Sequence, residues 1–115
     1  MSKPLSERHC KPCEGGVEPL TRKQAEKLLK GLHADWAISD DGLSISRCFE
    51  FPAYGRTMGF VNAAAWIAMV EGHHPELVVN YGSCEVRYST HAVDGLTDND
   101  FICAAKTDRL VNTPE

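Results

Sequence analysis

No run of about 20 apolar residues, the length a helix needs to cross a bilayer, occurs in this 115-residue chain, so a helical membrane span is not expected. Basic residues are in deficit. Twelve Lys and Arg stand against 16 Asp and Glu, a formal net charge of −4, which removes the electrostatic footing for broad nucleic-acid binding. The opening segment Met1 to Pro12 is polar and lacks the apolar centre of a secretory signal, so a cytoplasmic location is expected. Cysteine is present but ill-suited to a disulfide framework. The five residues Cys10, Cys13, Cys48, Cys84 and Cys103 are odd in number and scattered. There is no internal repeat of solenoid period and no low-complexity tract. What remains is an ordinary globular mix, 43% apolar and 24% charged, in a length that suits one domain.

Residues 1–19, rich in Pro, Gly, Cys and charge, read as an irregular N-terminal arm, and residues 20–112 as a single domain. Thr21-Arg22-Lys23-Gln24 fits a capping box, and Ala25, Leu28, Leu29 and Leu32 follow at helical spacing, with Gly31 near the stop. Trp36-Ala37-Ile38 is a short apolar run, and Asp40-Asp41-Gly42 signals a hairpin turn. Leu43, Ile45, Phe49 and Phe51 then alternate with Ser44, Ser46, Cys48 and Glu50, the pattern of a half-buried strand that Pro52 ends.

Tyr54 to Gly72 is the longest helical candidate, with Phe60, Ala63, Ala64, Ile67 and Val70 as one apolar stripe. Val61, Ala65, Ala68 and Met69 make the remainder apolar too, so this helix needs cover on more than one side, and a second subunit is the expected cover. Leu77 to Tyr81 reads as a strand, Gly82-Ser83 as a turn, and Cys84, Val86 and Tyr88 as the inward face of another strand. Thr97 to Asp100 caps a last helix running through Phe101, Ile102, Ala104, Ala105 and Leu110. The predicted fold is α+β, order α-β-β-α-β-β-α: a four-stranded antiparallel sheet with three helices packed on one face.

Gly72-His73-His74-Pro75 carries the chemistry. Pro75 disfavours helical geometry at His74, so the long helix should stop near Gly72 or His73 and leave both imidazoles at its C-terminus. The negative end of the macrodipole favours a protonated ring there. An unperturbed histidine titrates at about 6.5 and so exchanges protons near neutrality. The change of direction after His73 lets the two rings point different ways and flank one substrate. His91 follows Ser89-Thr90 at the end of the last strand, and Asp100 stands at the third position of the final helix, where a capping role alone would explain it. His9 and His33 lie in polar segments and receive no role.

The run His73-His74-Pro75, five residues, Tyr81, nine residues, His91, eight residues, Asp100 resembles the motif of the pterin-4a-carbinolamine dehydratases. Glu76, Ser89-Thr90 and Gly95-Leu96-Thr97 support it, and the likeness covers roughly residues 20–110. Two positions depart: Met69 stands where family members often carry an acid, and Gly72 where many carry an acid or amide. The resemblance implies a hydro-lyase that removes water from 4a-hydroxytetrahydropterin and recycles the pterin cofactor of aromatic amino-acid hydroxylases. It implies no metal and no further cofactor, the pterin being the substrate. It also implies His73 and His74 as the acid–base pair, His91 as a third catalytic histidine, and Asp100, Thr90 and Pro75 around the substrate. A homodimer or homotetramer joined through the long helix and sheet edges is implied as well.

Three readings compete with a metal-free enzyme. Three histidines can hold a catalytic zinc, but neighbouring His73 and His74 do not share a helix face. Cys10-Lys11-Pro12-Cys13 could be half of a zinc site or a redox pair, yet a second pair is missing. A non-enzymatic dimerisation or interaction module would use the apolar long helix equally well.

Overall fold

The computed structural model describes residues 3–11 and 18–111. Helix α1 is Arg22–Leu29, opened by a full capping box in which Thr21 accepts from the Gln24 N–H and the Gln24 side chain accepts from the Thr21 N–H. Strands β1 (Ala37–Ile38) and β2 (Ile45–Glu50) form the first hairpin, with Gly42 at φ 74° in its connection, a conformation that favours glycine. Helix α2 is Tyr54–Glu71, strands β3 (Glu76–Val79) and β4 (Ser83–Tyr88) form the second hairpin, and α3 is Asp98–Asp108. The sheet is antiparallel throughout, in the order β1-β2-β4-β3. The predicted class and element order hold.

Period-two alternation places the core. Ile45 and Phe49 of β2 and Cys84, Val86 and Tyr88 of β4 are buried, while Ser83, Glu85 and Arg87 between them are half exposed. Phe49 meets Phe60 of α2 at 4.5 Å between ring centroids and Trp36 edge-on at 6.1 Å. Helix α3 supplies the densest burial, with Phe101 through Ala105 all in the core. Asp108 near its end accepts from the Trp36 indole, from Arg47 of β2 and from the His33 N–H, tying the first hairpin to the last helix.

Several local readings are corrected. Leu43 is exposed, because the strand begins two residues later. The buried stripe of α2 is Thr57, Phe60, Ala64 and Ala68, and Val70 faces outward with Trp66 and Met69. The helix is apolar on so much of its surface that composition could not choose the inner face. Tyr81 sits in the second hairpin's connection, exposed, rather than in a strand. Residues 5–7 of the arm form a 3-10 turn whose Leu5 is buried in the core, with Lys106 of α3 donating to the Ser6 carbonyl. An amphipathic signal cannot arise from one turn, so the docking was invisible in the sequence.

The end of α2 sets up everything that follows. Gly72 takes φ 67°, its N–H and that of His73 both reach the Ala68 carbonyl, and the chain leaves the helix one residue before the histidines. A Cβ on Gly72 would meet nothing within 4 Å, so the residue is needed for its backbone alone. Gly72→Ala should therefore cost about 1–2 kcal/mol, the penalty of a left-handed non-glycine residue. The check is a shift of the urea midpoint at unchanged m-value.

Candidate functional site

Three chain segments meet at the C-terminal end of α2. His73 and His74 follow Gly72 and lead directly into β3 at Glu76. Thr90 and His91 follow β4. His91 does not close the strand as expected: the strand ends at Tyr88, and His91 opens a 3-10 turn, His91–Val93. A bridge between Thr90 and Gly95 closes that loop, with Asp94 at φ 51°. The N-terminus of α3 completes the group.

At its centre is Asp100, wholly buried. The His73 Nε2–H donates to its Oδ1 at 2.6 Å. The other oxygen, Oδ2, accepts from the Thr90 hydroxyl at 2.7 Å and from the Thr97 N–H at 3.0 Å. Since the Thr90 proton is committed to Asp100, the Thr97 hydroxyl must donate to Thr90 Oγ1, 2.9 Å away. Both oxygens of this buried carboxylate thus accept hydrogen bonds, three in all among the described residues, which is what burial of a charge requires. The His73 ring also stacks on Tyr88, at 5.8 Å and 8° between planes. With Nε2 held by Asp100, a neutral His73 ring keeps its lone pair on Nδ1.

In front of this cluster lies a cavity of about 450 Å³ whose wall includes His73, His74, Thr90, His91, Cys10 and Lys11. All three histidines singled out from the sequence reach it. The His73 side chain is 12% exposed, whereas His74 and His91 are open to solvent. Pro75 is absent from this wall; its effect is on the backbone. Asp100, placed beside the substrate from the sequence, stands behind His73 and reaches the cavity only through that ring, because its carboxylate is enclosed by its own donors. A larger cavity of about 590 Å³ lies between β2, α2 and the end of α3, lined by Phe49, Phe51, Phe60, Arg47 and Arg56, and holds none of the histidines.

Sequence reasoning missed Glu71 and Asn99. The Glu71 side chain, 4% exposed, accepts from the Cys10 N–H at 2.7 Å, pairs with His9 at 3.0 Å and lies 3.7 Å from the Lys106 ammonium. Burial pushes its carboxyl up. The Cys10 N–H, the His9 ring and the Lys106 ammonium outweigh that and hold it below the ordinary range. One signal was legible: after Arg56, Glu71 is the sole charge in α2, at the helix end where a negative charge is least welcome. Cys10 also has its Sγ 3.4 Å from that of Cys103, and this contact, burial and the Glu71 charge push its thiol up. Cys13 of the CxxC pair lies outside the described residues, and among those described no group of three His, Cys, Asp or Glu side chains is placed to hold a metal.

Comparison with known proteins finds similar sequences and a similar fold. The model of the family described as Pterin 4 alpha carbinolamine dehydratase matches residues 18–110. A Nitrosomonas europaea protein with the provisional name pterin-4-alpha-carbinolamine dehydratase is 56% identical, over 92% of this chain and 92% of its own. One from Legionella pneumophila, provisionally named the same way, is 49% identical over 96% of this chain and 98% of its own. The crystal structure of a transcriptional coactivator/pterin dehydratase from Brucella melitensis superposes with a TM-score of 0.76 at 30% identity, covering 81% of this chain and 98% of that one.

Two outcomes are expected of the site. Thr90→Val keeps the shape but deprives Asp100 of a donor and the Thr97 hydroxyl of its acceptor; it should cost about 2 kcal/mol in urea unfolding. Because the Glu71 carboxyl is lowered in the folded state, its contribution to stability is present above the ordinary glutamate value of 4.5 and is lost as pH falls through the lower folded value. The acid limb of melting temperature against pH should therefore be shallower in Glu71→Gln than in the parent, and equal slopes would show that this carboxyl adds nothing.

Proposed function

The chain belongs to the pterin 4 alpha carbinolamine dehydratase family, and from that membership we propose that it removes water from 4a-hydroxytetrahydropterin to give quinonoid dihydropterin. The observation that carries the reading is the convergence of His73, His74 and His91 on one cavity in front of a buried carboxylate. The reaction needs an acid for the departing hydroxyl and a base for the proton on the neighbouring ring nitrogen. No electron or hydride moves, so imidazoles suffice and no redox cofactor is called for. In this reading His73 and His74 are the acid–base pair and His91 binds the ring or the leaving hydroxyl. Asp100 and Thr90 act behind His73, fixing its tautomer and orientation as the carboxylate of a catalytic triad does. Pro75 contributes by directing His74 away from the helix. The biological role is recycling of the pterin cofactor of aromatic amino-acid hydroxylases.

A positioned general acid or base is worth about 10²–10⁴-fold. The dehydration rate of freshly generated 4a-hydroxytetrahydropterin should fall by that range in His74→Ala, and by less in His73→Ala. A more damaged His73 variant reverses the roles of the pair, and no acceleration by the folded parent sinks the enzyme reading.

The outer face of α2 supports self-association. Trp66 is 62% exposed, with Met69 and Val70 beside it, and Val78 and Val79 are exposed on the edge strand β3. A face of this kind is the mark of an interface. A homotetramer through packed α2 helices and sheet edges fits it, and Trp66→Lys should lower the mass seen in sedimentation equilibrium. The same face would serve a foreign partner, so an interaction module is the second reading. A stable heteromeric complex without pterin turnover would favour it.

A further inference from the structure

We infer that the arm segment Cys10-Lys11 is a structural wall of the catalytic cavity, and that Glu71 and Asn99 are the positioning residues that clamp it there to set substrate affinity. The inference rests on the dehydratase reading for its substrate and on geometry for its clamp.

The two clamps flank the histidine–carboxylate pair in sequence. Glu71 stands two residues before His73 and Asn99 one residue before Asp100. Asn99 grips Lys11 at two points: its Nδ2–H donates to the Lys11 carbonyl at 2.6 Å, and its Oδ1 accepts from the Lys11 N–H at 3.1 Å. Glu71 Oε1 takes the Cys10 N–H and Oε2 takes the His9 ring. Lys106, 3.7 Å from Glu71, also donates to the Ser6 carbonyl, so the same cation steadies both the carboxylate and the turn before it. The Cys10 Sγ–H adds a contact to the Asn99 carbonyl at 3.6 Å. The arm is thus bound through main-chain groups of the adjacent residues Cys10 and Lys11, as a strand edge would be.

Burial makes the point sharper. Glu71 is a nearly enclosed anion at the negative end of α2, and the Cys10 N–H, the His9 ring and the Lys106 ammonium offset the cost of placing it there. Asn99 is buried in the first turn of α3. Leu5 anchors the start of the arm in the core, and Glu71 and Asn99 hold the residues after it. Glu71 and Asn99 lie on the lining of the same cavity and fix Cys10 and Lys11 beside them on its wall. A wall that binds substrate and transition state alike acts on KM, not on kcat.

Two measurements test this. Hydrogen exchange of the Cys10 and Lys11 amides should speed about tenfold or more in Glu71→Ala and in Asn99→Ala, and by an intermediate factor in Glu71→Gln, which keeps the acceptor but loses the charge. Unchanged exchange in both alanine variants overturns the clamp whatever the activity. In turnover assays the same variants, checked as folded by an unshifted far-UV spectrum, should show KM raised about tenfold with kcat kept within about threefold. A released arm with unchanged KM, or a loss falling on kcat, overturns the wall. A parent chain with no turnover removes the dehydratase reading and the wall's catalytic meaning together, while the exchange result still decides the clamp.

Discussion

The carboxylate of Asp100 is the interaction on which the site depends, because three otherwise independent segments end on it. His73 comes from the C-terminus of α2, Thr90 from beyond β4, and the Thr97 N–H from the start of α3. A buried carboxylate tolerates no missing donor. The same requirement that keeps it satisfied therefore fixes the distance between the two hairpin-flanking loops and the last helix. The residue does two jobs with one side chain. Reaching back to Thr97, it is half of a helix cap; reaching forward to His73, it sets which imidazole nitrogen is left for chemistry.

The elements written in local code could be read before the structure was known. Thr21 with Gln24 and Thr97 with Asp100 announce helix starts because a cap is made by residues three apart. Pro75 announces the end of α2 because a proline restricts its immediate predecessor. The inward faces of β2 and β4 follow from period two, and the histidines converge because each sits just past the end of such an element. Leu43 and Tyr81 were misplaced because the ends of β2 and β3 leave no mark in the alternation, and Val70 because a helix apolar on most sides does not reveal its inner face.

The arm shows the other limit. Its docking runs from Leu5 to the core, from Cys10 to Glu71 and Cys103, and from Lys11 to Asn99, contacts between residues about 60 to 90 positions apart. No short-range pattern encodes such pairs. The trace they leave is a residue that breaks a local rule. Glu71 is an acid at the wrong helix end after a long uncharged run, and its partners are all far away in the chain.

Such rule-breaking residues gather in one place. Glu71 is an anion at a negative helix terminus, Asp94 has positive φ without being glycine, and Asp100 is a buried carboxylate. All three border the loops around the cavity. Local conflict of this kind persists only where the surroundings over-determine it. Here they do so by hydrogen bonds that each conflicting group shares with a neighbour: Glu71 with the arm, Asp94 with His91, Asp100 with His73. Gly72 makes the turn, the adjacent acid at Glu71 holds the arm, and the His73 ring is held by Asp100.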